Sequence, residues 1–168
     1  IFSFEDFSKL ESHIEDRKAT KMYEMLRVNL VSFIVNFLQF PNTSEDDILN
    51  VAATLDTNCF EVFLPSKLVK VRGIYPKAAM MAHDCRPNTK HCFDDNFEMK
   101  VFATTAIKKG EMILTSYTHP LKSTIERRLG LKQAKCFDCL CSRCKDPTEM
   151  NTFASSLICS VCGGVLTS

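Results

Sequence analysis

The sequence predicts an α+β fold whose C-terminal segment is braced by metal. Three observations carry this expectation. The first forty residues place apolar side chains at helical spacing, the stretch from Asn58 to Tyr117 breaks into short runs of strand character, and Cys139-Leu140-Cys141-Ser142-Arg143-Cys144 sets three cysteines in C-x-C-x2-C order.

The opening is polar and charged, then gives way to Met22, Tyr23, Met25, Leu26, Leu30, Phe33, Ile34, Phe37 and Leu38, which recur at three and four. That period reads as a helix packed on a core, serving as scaffold. Pro41-Asn42 ends it, and Ser44 before Glu45, Asp46 and Asp47 caps a second helix running to about Leu55. Beyond Asn58 the period shortens. Cys59 to Leu64 and Lys67 to Val71 read as short strands, and Phe97 to Thr105 and Glu111 to Tyr117 read as a pair joined at Lys108-Lys109-Gly110. Ser123-Thr124-Ile125-Glu126 is a capping-box signature, so a helix should run from there towards Lys132 and deliver the chain into the cysteine cluster.

Composition bounds the function. With 168 residues, 45% of them hydrophobic, the chain can bury one core, or one core and a small zinc-braced appendage. A net charge of +1, from 21 Lys and Arg against 20 Asp and Glu, supplies no field for nucleic acid or an anionic membrane. The basic residues from Lys122 to Lys135 read as solvated helix surface, so no direct nucleic-acid or membrane partner is expected. No apolar run approaches the roughly 20 residues of a spanning helix, and Ile1 to Phe7 lacks the features of a signal peptide. The expectation is a soluble, monomeric, intracellular protein. The missing initiator Met and the tail Gly163-Gly164-Val165-Leu166-Thr167-Ser168 read as a fragment of a longer chain.

The nine cysteines fall mostly in short C-x-C and C-x2-C units, whose geometry suits metal better than mutual pairing. Closed zinc sites are tetrahedral and favour thiolates, so Cys139, Cys141 and Cys144 are one ligand short. A distant Cys or His must complete the set, and Cys85 is the best candidate. Cys159 and Cys162, followed by Gly163 and Gly164, form half of a zinc ribbon and a possible second site. Cys59, Cys92 and Cys136 are unassigned and read as small buried hydrophobes.

These motifs carry a family resemblance. Gly73-Ile74-Tyr75-Pro76, followed by His83-Asp84-Cys85-Arg86-Pro87-Asn88, resembles the GLYP…NHSCxPN motif of SET-domain protein-lysine methyltransferases of the SET-and-MYND (SMYD) family. Ile107-Lys108-Lys109-Gly110-Glu111 with Ser116-Tyr117 resembles the family's GEELTxSY strand, Glu126-Arg127-Arg128 its ERR helix, and Cys139 to Cys144 its post-SET zinc motif. The matching stretch runs from about Asp56 to Glu149. His83-Asp84-Cys85 and the later Cys-x2-Cys-Gly-Gly look most like the arthropod SMYD-type proteins. The resemblance implies the C-terminal part of a SET β-fold. Its expected parts are a helical SET insertion at 1–55, the C-terminal SET core at 56–120, a post-SET helix and zinc site at 121–149, and a zinc-ribbon-like segment from 150 to 168.

It also implies an activity: methyl transfer from S-adenosyl-L-methionine to a lysine of a protein substrate, such as a histone tail, in cytoplasm and nucleus. Tyr117 is then the catalytic tyrosine. Asn58, Ala82, His83 and Phe137 are the cofactor-binding positions, with His83 meeting the cofactor through its backbone. Phe60 and Phe137 line the lysine channel, and Zn2+ on Cys85, Cys139, Cys141 and Cys144 packs Phe137 over the site. The sequence departs from the family at several of these positions. Ala82 replaces an Asn whose side chain binds the cofactor, Ala79 stands where a polar residue supports the tyrosine, Asp84 replaces Ser, and Lys135 replaces an aromatic that closes the channel. Each lost hydrogen bond is worth about 0.5–1.5 kcal/mol, so cofactor affinity should be weaker than in the family at large. No glycine-rich N-terminal SET strand and no MYND finger precede Ile1, so the fragment by itself is expected not to methylate. The alternative is a degenerate SET module that keeps fold and zinc and serves as a protein-binding or scaffolding domain.

Overall fold

The computed structural model describes residues 3–64 and 68–167. The chain divides into two compact units, Ile1–Phe63 with Leu68–Ala79, and Leu64–Lys67 with Met80–Ser168. Among the described residues no helix is long and apolar enough to cross a membrane.

In the first unit, short helices α1 (Phe4–Ser8) and α2 (Ile14–Arg17) precede α3 (Lys21–Leu26), which widens into π-helical turns over Arg27–Val31 and Phe33–Phe37. The widening shifts the apolar face out of the period read from sequence. Val31 is buried with Ile48 and Leu49, and Tyr23, Leu26, Leu30 and Ile34 pack around them. Met22, Met25, Phe33, Phe37 and Leu38, expected in that core, are exposed instead. Helix α4 (Glu45–Asn58) starts where expected: Ser44 Oγ accepts the Asp47 N–H at 3.1 Å and Asp47 accepts the Ser44 N–H in return. It continues past Leu55 and runs directly into β1 (Cys59–Leu64), which pairs with β2 (Val69–Ile74). The strand expected at Lys67 to Val71 therefore sits further along, and Lys67 lies outside the described residues. Gly73 is needed in β2: a Cβ there would stand 2.8 Å from the Tyr75 ring and 3.2 Å from Val62. The short helix α5 (Pro76–Ala79) closes this unit.

In the second unit, β3 (Ala82–His83) pairs in parallel with β6 (Leu114–Thr115), and β4 (Thr89–Phe93) pairs antiparallel with β5 (Met99–Ala103). The expected pairing of Phe97–Thr105 with Glu111–Tyr117 is not made. Its backbone groups are already taken: the Asn88 side chain donates to the Met112 carbonyl at 2.9 Å and accepts the Leu114 N–H at 2.8 Å, and Thr89 Oγ1 donates to the Leu114 carbonyl at 2.7 Å. The Leu114 N–H has one hydrogen to give and Asn88 takes it, while Leu114 and Thr115 pair with β3 instead. The turn at Lys108–Glu111 does form, with Gly110 at φ 90°.

Helix α6 (Thr124–Lys135) is capped by Ser123 and Glu126 as expected, and ends at Cys136, which is left-handed at φ 59°. Its buried residues, Thr124, Arg127 and Leu131, fall three and four apart on one face. The chain then turns through Phe137 into the cysteine cluster and the single-turn α7 (Ser142–Lys145). A small hairpin of β7 (Leu157–Ile158) and β8 (Val165–Leu166) carries Cys159 and Cys162 between its strands.

Candidate active site and metal centre

Four sulfurs meet in the second unit. The Sγ atoms of Cys85, Cys139, Cys141 and Cys144 all lie within 4.8 Å of one another. Cys85 Sγ is 3.9 Å from that of Cys139 and 3.5 Å from that of Cys144. A tetrahedral ion with metal–sulfur bonds of about 2.3 Å requires sulfurs about 3.8 Å apart, so the cluster could hold a metal ion with shifts of no more than about an ångström. Cys85 reaches it from the loop after β3, Cys139 from the turn after α6, and Cys141 and Cys144 bracket the start of α7. Cys85, Cys139 and Leu131 form a buried cluster on which Phe137 packs.

Burial, then the neighbouring Cys144 thiol, pushes the Cys85 thiol far above the ordinary range, and burial lifts Cys139 to about 11. Burial also opposes ionisation of Cys141. Backbone N–H groups of Cys144 and Cys85 at its sulfur outweigh that effect and bring it below the usual thiol value. The Cys85 and Cys139 thiols, which resist ionisation by themselves, are ones that a cation would convert to thiolates.

Beside the sulfurs stand three rings. His83 lies 5.2 Å from Tyr117 and 5.8 Å from Phe137, and Tyr117 meets Phe137 edge-on at 6.5 Å between centroids. His83 Nδ1 accepts the backbone N–H of Tyr117 at 3.0 Å, while its Nε2 is 3.4 Å from Cys85 Sγ. An accepting Nδ1 leaves the proton of a neutral imidazole on Nε2, directed at the sulfur. Burial favours that neutral form by lowering the His83 pKa, and Arg127 acts in the same direction against Asp84. The Tyr117 hydroxyl donates to the Met81 carbonyl, and burial raises its pKa. Tyr117 remains 37% exposed, and Lys135 Nζ stands 5.7 Å over its ring.

Tyr117, His83 and Phe137 are thus brought together, with Ala82 adjacent in β3. Asn58 and Phe60 belong to the first unit. The Asn58 amide donates to the Thr54 and Glu11 carbonyls at 2.8 and 2.7 Å, and Phe60 meets Tyr75 edge-on at 6.0 Å. Cys159 and Cys162 sit in a tight knuckle, where the Cys162 and Val161 N–H groups lower the Cys159 pKa. None of the nine cysteines is in a disulfide. Cys59 and Cys136 are half-buried and Cys92 is exposed on β4, so none of these three is the buried hydrophobe expected.

Sequence reasoning missed two parts of the site. Asn88 acts as a side-chain strand partner for the segment that leads to Tyr117; its position after Pro87 was the available signal. Arg127, Arg143 and Glu149 form a buried ionic network under the cysteines, and nothing in a charged helix pattern distinguishes a buried arginine from a solvated one.

The family model described as SET domain matches residues 3–118, which takes in the helical region as well as the strands and ends before the cysteine cluster. The SET domain-containing protein SmydA-8, isoform A, of Drosophila melanogaster is 33% identical over 90% of this chain and 34% of its own length. The histone-lysine N-methyltransferase SMYD3 of Mus musculus is 28% identical over 86% of the chain and 34% of its own length. The histone-lysine N-methyltransferase ASHR1 of Arabidopsis thaliana is 29% identical over 82% and 28% respectively. The chain spans about a third of the length of these curated relatives. A SET model over most of the chain, and SMYD-type relatives over nearly all of it, agree with the ring cluster and sulfurs assembled around β3: this chain belongs to the SET domain family, as a SMYD-type member.

Proposed function

We propose that the protein is an S-adenosyl-L-methionine-dependent protein-lysine methyltransferase acting on a histone or another protein, with Zn2+ as structural metal. The observation that carries this reading is the packing of His83 and Phe137 against the cysteine cluster, with the Tyr117 ring set against both. In it, Zn2+ on Cys85, Cys139, Cys141 and Cys144 is a clasp that holds Phe137 at the site, and Cys159 and Cys162 supply half of a second site. The domain limits are those expected from sequence: insertion 1–55, SET core 56–120, post-SET 121–149 and ribbon 150–168. The working protein is a monomer of cytoplasm and nucleus.

The rings fit the chemistry. Both a sulfonium and a substrate ammonium are cations, and the Tyr117 face already takes one in Lys135. S-adenosyl-L-methionine supplies the electrophilic methyl when bound. Tyr117 is the catalytic residue, its hydroxyl oriented by the Met81 carbonyl towards the transfer position. Phe137 strips water from the incoming lysine, whose amine must lose a proton held at a pKa of about 10.4. Desolvation lowers that value. Ala82 and His83 contribute to the cofactor pocket through backbone groups.

Ala82, which offers no side-chain hydrogen bond, and the commitment of the Asn58 amide to two carbonyls favour a second reading, a SET module that serves as a binding or scaffolding domain. Calorimetric titration of S-adenosyl-L-methionine into the full-length protein, then radiolabelled methyl transfer with wild type and Tyr117→Phe, separates the two. Transfer that collapses with Tyr117→Phe supports the enzyme. Absence of binding leaves the scaffold.

A further inference from the structure

Two arginines and one carboxylate are sealed beside the cysteine cluster. Arg127 and Glu149 have no exposed surface, and Arg143 is 8% exposed. The Glu149 carboxylate lies 3.4 Å from Arg127 Nη1 and 3.1 Å from Arg143 Nη2. It also accepts the Thr124 N–H at 2.8 Å and the hydroxyls of Thr124 and Ser155. Two guanidinium groups that never deprotonate, set against one carboxylate, leave one buried positive charge in excess. Burying a charge without a counter-charge is strongly unfavourable, so something nearby must answer it.

The nearest group able to do so is the sulfur cluster. Arg127 Nη2 points at Cys144 Sγ from 3.9 Å, and the Nε atoms of Arg127 and Arg143 are buried without a hydrogen-bond partner. Four neutral thiols carry no charge. Four thiolates around a divalent ion carry a net charge of −2, which complements the excess beside them.

We propose that Arg127 is the counter-ion of the metal–thiolate centre, a positioning residue outside the ligand set that determines how tightly Cys85, Cys139, Cys141 and Cys144 hold a divalent ion. This rests on the reading of those cysteines as a metal centre. Glu149 and Arg143 orient Arg127, and its charge lowers the cost of gathering four thiolates in a buried space. Mutation of such outer-shell partners typically weakens metal affinity about 10–100-fold.

The test uses the chain with Cys159→Ser and Cys162→Ser as background, so that only one cluster titrates. Zinc affinity is read by competition with a chromophoric chelator, and zinc-dependent folding by circular dichroism against free zinc. One zinc per chain, lost or much weakened in Cys85→Ser, establishes the centre. Arg127→Gln should then weaken affinity by about tenfold or more at unchanged stoichiometry, with Arg127→Lys within about threefold of wild type. If Arg127→Gln folds only at much higher zinc, or not at all, while Arg127→Lys keeps the wild-type midpoint, the charge is again the requirement. Wild-type affinity in Arg127→Gln overturns the proposal and leaves the centre intact. Equal losses, or equal failure to fold, in the Gln and Lys variants also overturn it, because guanidinium shape and not charge would be decisive. Absence of zinc from the background chain, or no effect of Cys85→Ser, removes the centre and the proposal together.

Discussion

The His83 imidazole accepts the backbone N–H of Tyr117 at 3.0 Å and so ties the residue before Cys85's turn to the proposed catalytic tyrosine. With Nε2 at 3.4 Å from Cys85 Sγ, one ring touches both the sulfur cluster and the Tyr117 backbone. His83→Ala leaves that N–H without its acceptor. The expected cost is about 0.5–1.5 kcal/mol, measured by urea unfolding, with methyl transfer reduced in parallel.

Metal removal should act locally before it acts globally. The segment from Phe137 to Lys145 is held mainly by the cysteine cluster and by Leu131 beneath it. Chelation should raise amide hydrogen exchange there by orders of magnitude while α4 in the first unit keeps its protection. Uniform loss of protection in both regions would contradict this.

Glu149 should produce an acid-sensitive step. Burial opposes its ionisation, but hydrogen bonds from Ser155 and Thr124, with the charge of Arg127, outweigh that and hold its pKa at about 2 against an ordinary 4.5. A depressed folded-state pKa stabilises above the unfolded value and is lost as pH falls through the folded one. The contribution, about 3 kcal/mol, should be full above pH 4.5 and fade towards pH 2. Glu149→Gln should remove this dependence and destabilise at neutral pH by about 3–5 kcal/mol, since it breaks the buried ion pairs that Glu149 makes with Arg127 and Arg143. Urea unfolding of both proteins across that pH range checks it.

Gly73→Ala should overpack the first unit. The new methyl would stand 2.8 Å from Tyr75 and 3.2 Å from Val62, which is itself fully buried. A loss of about 1–3 kcal/mol is expected from thermal or urea unfolding, with zinc affinity unchanged.

Lys135→Met should cost less than about 1 kcal/mol, the usual worth of a half-exposed cation over a ring. Clearing the Tyr117 face should also tighten S-adenosyl-L-methionine binding by calorimetry. Weaker binding would show that Lys135 supports the pocket instead of competing for it.

What could be read from sequence was local. Ser44 with Asp47 and Ser123 with Glu126 close their capping boxes within four residues, so α4 and α6 start where the sequence placed them. The C-x-C-x2-C spacing demanded a fourth sulfur, and Cys85 lies among the other three. Helix α3 was less legible, because its π-helical turns rotate Phe33 and Phe37 away from the core that their spacing implied.

By itself the sequence determined the α+β class, the starts of α4 and α6 and the sulfurs that gather, since each depends on groups close in the chain or on cysteines whose chemistry restricts their use. Only the tertiary structure decided which strands pair, what His83 touches and where Arg127 is buried. Asn88 captures the backbone of Met112 and Leu114 from 24 and 26 residues away, and Glu149 answers Arg127 from 22. Such contacts depend on which polar groups are shut away from water together, and that is settled only when the whole unit closes.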